Sequence, residues 1–160
     1  MSAATAATPE RFEDRSKTSW AGYAAALWAL IFAFFHAVWA AGWYVGLWPE
    51  EAWRKAFQRT GFLVYDIVIA GACLVAVAVE LALVQPWGRR VPRWLLRFLV
   101  WSGTGLLTLR GGAGMVQCVY QLIRGTFTLE PMFVWEVWFY LGAILFVLSL
   151  RQYRRASRVA

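Results

Sequence analysis

Apolar residues fall in four long runs along the chain, and charged residues cluster between them. The first run, Trp20 to Trp48, holds no formal charge. The second, Phe62 to Val84, is interrupted by Asp66 and Glu80. The third, Trp94 to Leu122, carries Arg97 near its start and Arg110 near its middle, and the fourth, Pro131 to Leu150, carries Glu136. Crossing about 30 Å of hydrocarbon takes roughly 20 apolar residues in a helix, and each run is that long. Helix is the conformation lipid permits, because a lone strand would leave its backbone groups unpaired there. The pattern predicts an all-α, four-transmembrane-helix bundle with short loops, its helices at about 20–47, 61–84, 95–121 and 131–150.

The segments around these runs add detail. Residues 1–19 form a polar tail rich in Ala, Thr and Ser, read as disordered. The first run is about twice the length of a signal-peptide core, and the tail before it is of mixed charge, so neither reads as a leader. Trp48-Pro49-Glu50-Glu51 looks like a helix start, with Pro early and two acids in the first turn. A short helix over 52–58 would then lie along the outer surface in the first outer loop, with Trp43, Tyr44, Trp48 and Trp53 as an aromatic belt. Pro86, Gly88 and Pro92 break the chain between the second and third helices. Residues 151–160 read as a basic tail.

Composition agrees with this layout. Of 160 residues, 61% are hydrophobic and eleven are Trp, more apolar surface than a small soluble domain can bury. Lys and Arg divide eleven to four between the two sides of the four-helix layout, so the positive-inside rule puts both termini on the cytoplasmic side of the cell (plasma) membrane. The net charge of +7 follows from that topology and from contact with anionic lipid, and needs no nucleic acid as partner. One His cannot supply two axial haem ligands, and Met115 is the only Met at a depth matching His36. No cluster has zinc-site spacing. Cys73 and Cys118 differ too much in depth for a disulfide. Gly111-Gly112-Ala113-Gly114 lies inside an apolar helix, where small residues let helices approach closely. No cofactor and no metal is expected.

The remaining candidates are polar groups inside the apolar runs, where each is expensive and a functional hypothesis by default. Asp66 and Glu136 lie about five residues from the outer ends of their helices, roughly 7–8 Å deep, with Gln117 at a similar level. His36 and Arg110 lie about ten residues in, near 15 Å. Glu80 sits near the inner end of its helix and is expected to reach the cytoplasmic surface. Helical spacing puts Trp28, Phe32, His36, Trp39 and Trp43 on one stripe, and Arg110, Gly114, Gln117 and Gln121 on another. Glu136 and Tyr140 are one turn apart. Inward-facing stripes would enclose an aromatic and polar cavity open to the outside. Arg110 needs a counter-charge, for which Glu136 is favoured over Asp66. The alternative role for the pair is structural, locking the bundle.

Four segments carry a resemblance. Phe35-His36-Ala37-Val38-Trp39-Ala40-Ala41-Gly42, Pro92-Arg93-Trp94-Leu95-Leu96-Arg97, Leu109-Arg110-Gly111-Gly112-Ala113-Gly114 and Trp135-Glu136-Val137-Trp138-Phe139-Tyr140-Leu141-Gly142 resemble small bacterial membrane proteins grouped as domain of unknown function 3995, its actinobacterial members especially. The likeness covers about residues 20–150. Its most specific features are His36 with Trp39, and Arg110 followed by glycines. Where some members carry an acid four residues after that Arg, this chain has Gly114. The resemblance implies a four-helix fold and points to His36, Arg110 and Glu136. It implies no reaction.

Two functions fit this inventory. One is a non-enzymatic membrane protein that holds a lipid or hydrophobic small molecule through Trp39, Trp43, Arg110, Gln117 and Tyr140, or that joins a homo-oligomer or membrane complex. The other is a small intramembrane isomerase or cyclase on an isoprenoid-like substrate. Glu136 or Asp66 would be the acid, His36 the base, and Trp faces the stabilisers of a cation. Without internal repeats or broken helices, transport by alternating access is disfavoured.

Overall fold

The computed structural model describes residues 20–126 and 132–159 of the chain. The expected disordered tail over 1–19, the segment 127–131 and residue 160 lie outside the described residues. Among the described residues there are five α-helices and no strand: α1 (Trp20–Ala40), α2 (Glu50–Phe57), α3 (Thr60–Val84), α4 (Arg93–Ile123) and α5 (Met132–Val159). A 3-10 turn over Pro86–Arg90 links α3 to α4.

Two helix ends differ from the sequence expectation. α1 stops at Ala40 and not near 47. Gly42 adopts the left-handed conformation at φ +91°, its N–H donates to the Trp39 carbonyl (2.9 Å), and the Trp43 N–H donates to that of Val38 (3.1 Å). That pair of bonds is a Schellman cap, which glycine closes without a Cβ penalty. α5 runs beyond 150 to Val159, so most of the basic tail is helical. No Gly or Pro follows Leu150, and Arg and Gln propagate a helix well. In the first loop, α2 begins after Pro49 and is braced by the Glu50–Arg54 pair one turn apart. Phe57 anchors it against Tyr44 and Phe62, at ring distances of 5.2 and 4.9 Å.

α1 is the central helix, packed on α3 along one side and on α5 along another, while α5 packs on α4. α3 and α4 meet in a sparser seam that closes the ring. Close approach depends on small residues. A Cβ on Gly142 of α5 would run into the Trp28 indole, and one on Gly103 of α4 would lie 2.8 Å from the Phe146 ring. Trp28 is fixed further by its Nε1–H donating to the Trp138 carbonyl (3.1 Å) and by stacking on Trp138 at 5.7 Å.

Among the described residues, three helices are long and apolar enough to cross a membrane: Trp20–Ala40, Thr60–Val84, and Val134–Ala156 within α5. α4 is the longest at 31 residues, but Arg93, Arg97, Arg110, Gln117 and Gln121 dilute its apolar content. Its outward face is nonetheless apolar, with Leu106, Leu109, Val116 and Val119 exposed. Phe34 of α1 and Ile67, Val68 and Val75 of α3 are exposed in the same way. Continuous apolar surface on this scale suits lipid better than water.

Gly142→Val should lower the thermal unfolding midpoint of the purified protein. Overpacking against the rigid Trp28 ring is expected to cost about 1–3 kcal/mol. Gly71→Val, in open space on α3, should change it little.

Candidate functional site

His36 faces inward from α1, its ring set edge-on against Phe32 (4.6 Å) and Trp39 (4.9 Å). Its Nδ1 lies 2.6 Å from Asp66 Oδ1 on α3. Both residues are buried, Asp66 to 3% exposure, so the acid does not snorkel to the surface. The bond uses one polar atom of each. His36 Nε2 and Asp66 Oδ2 are buried with no hydrogen-bond partner among the described residues. An unpartnered buried polar group costs about 1–3 kcal/mol, so such atoms mark a place where a further polar partner would be stabilised. Trp39 supports the site from above, its Nε1–H holding the Val45 carbonyl of the first loop (2.9 Å).

The second pair joins α4 to α5. Arg110 Nη1 donates to both oxygens of Glu136, at 2.9 and 3.2 Å. Glu136 is the counter-charge the sequence favoured, and it is 1% exposed. The Arg110 side chain is 49% exposed, and its guanidinium lies 4.7 Å from the Phe139 ring centroid. Gly114 makes the pair possible. A Cβ there would overlap the Glu136 carboxyl, so the missing side chain is the space the acid occupies. Gly111, three residues earlier, lies close against Tyr140 and Phe139, where a Cβ would come within 3.2–3.4 Å.

Ring contacts set the two pairs at one height. Phe35 meets Trp135 at 5.4 Å and Phe32 meets Phe139 at 5.5 Å, which brings His36 level with Glu136. The rings expected to wall a cavity fill the space between α1 and α5 by packing on one another. Trp135 is part of that cluster and binds the Gly46 carbonyl through Nε1–H (3.0 Å). It belongs to the site although the sequence reading did not choose it, and its place one residue before Glu136 was the available signal.

Two chosen residues stand away from the cluster. Trp43 lies past the end of α1 and is 71% exposed, because the Gly42 cap ends the helix before the stripe reaches it. Gln117 is exposed, because the face carrying Gly111 and Gly114 turns toward α5 and leaves Arg110 and Gln117 on its flank. Tyr140 lies over Gly111 and Gly112.

Glu80 corrects an expectation. It is fully buried and does not reach the surface. Neither carboxyl oxygen has a hydrogen-bond partner among the described residues, and the nearby Ser149 hydroxyl donates instead to the Phe146 carbonyl (2.9 Å). Asp66, Cys73 and Glu80, seven residues apart, are all buried on α3. That spacing was the available sign that Glu80 faces inward. Among the described residues no group of three or more His, Cys, Asp or Glu is placed to hold a metal ion.

Arg110→Ala should destabilise the fold toward the lower end of the roughly 3–5 kcal/mol typical of breaking a buried pair, because it strands Glu136. The double variant Arg110→Ala/Glu136→Ala should recover part of that loss in thermal unfolding. Additive single losses would show that the two side chains are not coupled.

Comparison with curated proteins and with solved structures finds no match. A family model described as protein of unknown function (DUF3995) matches residues 29–147. That span holds both polar pairs and the aromatic cluster between them, and it takes in most of the chain. The chain belongs to the DUF3995 family.

Proposed function

We propose that this is a four-span membrane protein of the bacterial inner membrane, with both termini cytoplasmic, that holds a lipid or hydrophobic small molecule in its outer half. In this reading α4 is the fourth span beside α1, α3 and α5. Arg97 lies at its inner end, and Arg110 is neutralised by Glu136. A charged side chain is tolerated inside a bilayer when it is paired, and Glu136 supplies the pair here.

One observation carries the ligand: His36 Nε2 and Asp66 Oδ2 are buried, unpartnered and level with a half-exposed arginine. A molecule with an apolar body and one polar end would supply the missing hydrogen bonds there. The sparse α3–α4 seam is its route in from the bilayer. Helical spacing puts Arg110 on the flank of α4 away from Thr104 and Thr108. Trp39 and Trp135 close the outer end.

An enzyme is the second reading, and the His36–Asp66 bond favours it over a purely passive site. A carboxylate on Nδ1 orients the ring and leaves Nε2 as the reactive nitrogen, the arrangement that general bases use. In that arrangement His36 is the base and Asp66 orients it, while Glu136 has both oxygens engaged by Arg110.

The purified protein should gain several degrees of thermal stability in native lipid extract over detergent alone. Asp66→Asn and His36→Gln, which keep shape and polarity, should remove most of that gain while leaving the detergent-only midpoint close to wild type. A gain of the same size in both variants would place the ligand elsewhere. Conversion of a prenyl substrate, lost in the same two variants, would establish the enzyme.

A further inference from the structure

α4 and α5 leave a groove of about 340 Å³ between them, on the flank of α4 away from Arg110. Thr104 and Thr108 line it from α4; Tyr140, Ile144, Leu148 and Arg151 line it from α5. Both threonine hydroxyls donate to helix carbonyls one turn back, at 2.8 Å, so their donors are already used. The groove therefore has apolar walls, a tyrosine at one end and an arginine at the other. From Tyr140 to Arg151 is about 16 Å at helical rise. That is half of a roughly 30 Å hydrocarbon core, the depth one lipid tail occupies in one leaflet.

The charged end has a second cation. Arg97 lies two turns before Thr104 on the same flank of α4, since seven residues return a helix to nearly the same direction. Gly103 faces Phe146, Gly111 faces Phe139 and Gly114 faces Glu136. This antiparallel register brings Arg151 opposite Leu99, within one turn of Arg97. Among the described residues neither arginine forms an ion pair. Two arginines at the mouth of an apolar groove, one from each wall, match a phosphate attached to an acyl chain.

We propose that the α4–α5 groove is a binding site for an acidic phospholipid of the cytoplasmic leaflet, with Arg97 and Arg151 on the headgroup phosphate and one acyl chain lying along the groove to Tyr140. The site is separate from the outer polar cluster. The placing of α4 in the bilayer and the assignment to the cytoplasmic leaflet rest on the reading proposed above.

Native mass spectrometry of the full chain, released from detergent with phosphatidylglycerol or phosphatidylcholine, tests the site. Phosphatidylglycerol adducts should persist at activation energies that strip phosphatidylcholine. The R97Q/R151Q variant should weaken phosphatidylglycerol binding about tenfold, whereas R97K/R151K should retain it. Ile144→Trp, which fills the groove and keeps both arginines, should weaken it as well. R89Q/R90Q, which removes equal charge from the α3–α4 turn, should not. Equal retention of the two lipids, or equal loss in R89Q/R90Q, would reduce the effect to diffuse attraction and overturn the site. So would a dimer that forms through this face and excludes the lipid. Sidedness is read separately, by impermeant thiol labelling of Ala160→Cys in a cysteine-free chain in spheroplasts. Labelling from outside would sink the proposed orientation and the leaflet, while the detergent result would still decide the groove.

Discussion

Charge in an apolar surround has to be matched at contact distance, and the packing of α4 on α5 follows from that constraint. Arg110 reaches both oxygens of Glu136, and Glu136 occupies the space above Gly114. The pair sets the helix register: slide one helix by a residue and the acid meets a side chain instead of a gap. Gly111 and Gly103 extend the same fit toward Tyr140 and Phe146. A buried ion pair is weak evidence for stability, because the desolvation of both charges offsets their attraction. Its stronger contribution here is to exclude other arrangements of the two helices.

On the opposite side of the bundle the polar contact is of another kind. His36 and Asp66 tie α1 to α3 through one short hydrogen bond and leave an atom of each unused. The surrounding rings, Phe32, Phe35, Trp39, Trp135 and Phe139, pack at 5.2–6.3 Å from one another, and Phe32 and Trp39 meet the histidine edge-on. An aromatic frame around incompletely bonded polar atoms is stiff and chemically unfinished. That combination separates the cluster from ordinary core packing, in which buried polar groups are satisfied.

Much of this was legible in the sequence, and the exceptions have physical reasons. Apolar run length gave the long helices, because it depends only on local composition. The partner of Arg110 was legible because few opposite charges lie within the runs. The end of α1 was not, since Ala41-Gly42 reads as helix until the left-handed glycine is seen with its two capping bonds. Trp43 was lost from the site for the same reason. Gln117 shares a stripe with Arg110, but which part of a stripe faces a neighbour is decided by where glycines permit contact. The burial of Glu80 depends on the small residues of α1 that lie against α3, and so on tertiary structure. α4 shows the limit of composition itself, since its arginines hide an outward face as apolar as its neighbours'.

α5 continues without a break from Met132 to Val159, past the end of its apolar stretch. A helix with an intact hydrogen-bond ladder has no hinge at which to absorb a displacement. Glu136 and Arg151 are fifteen residues apart on it, about 22 Å along the axis. α5 thus acts as a rigid lever, and a rotation that repositions the carboxylate at one end sweeps the guanidinium at the other through the same angle.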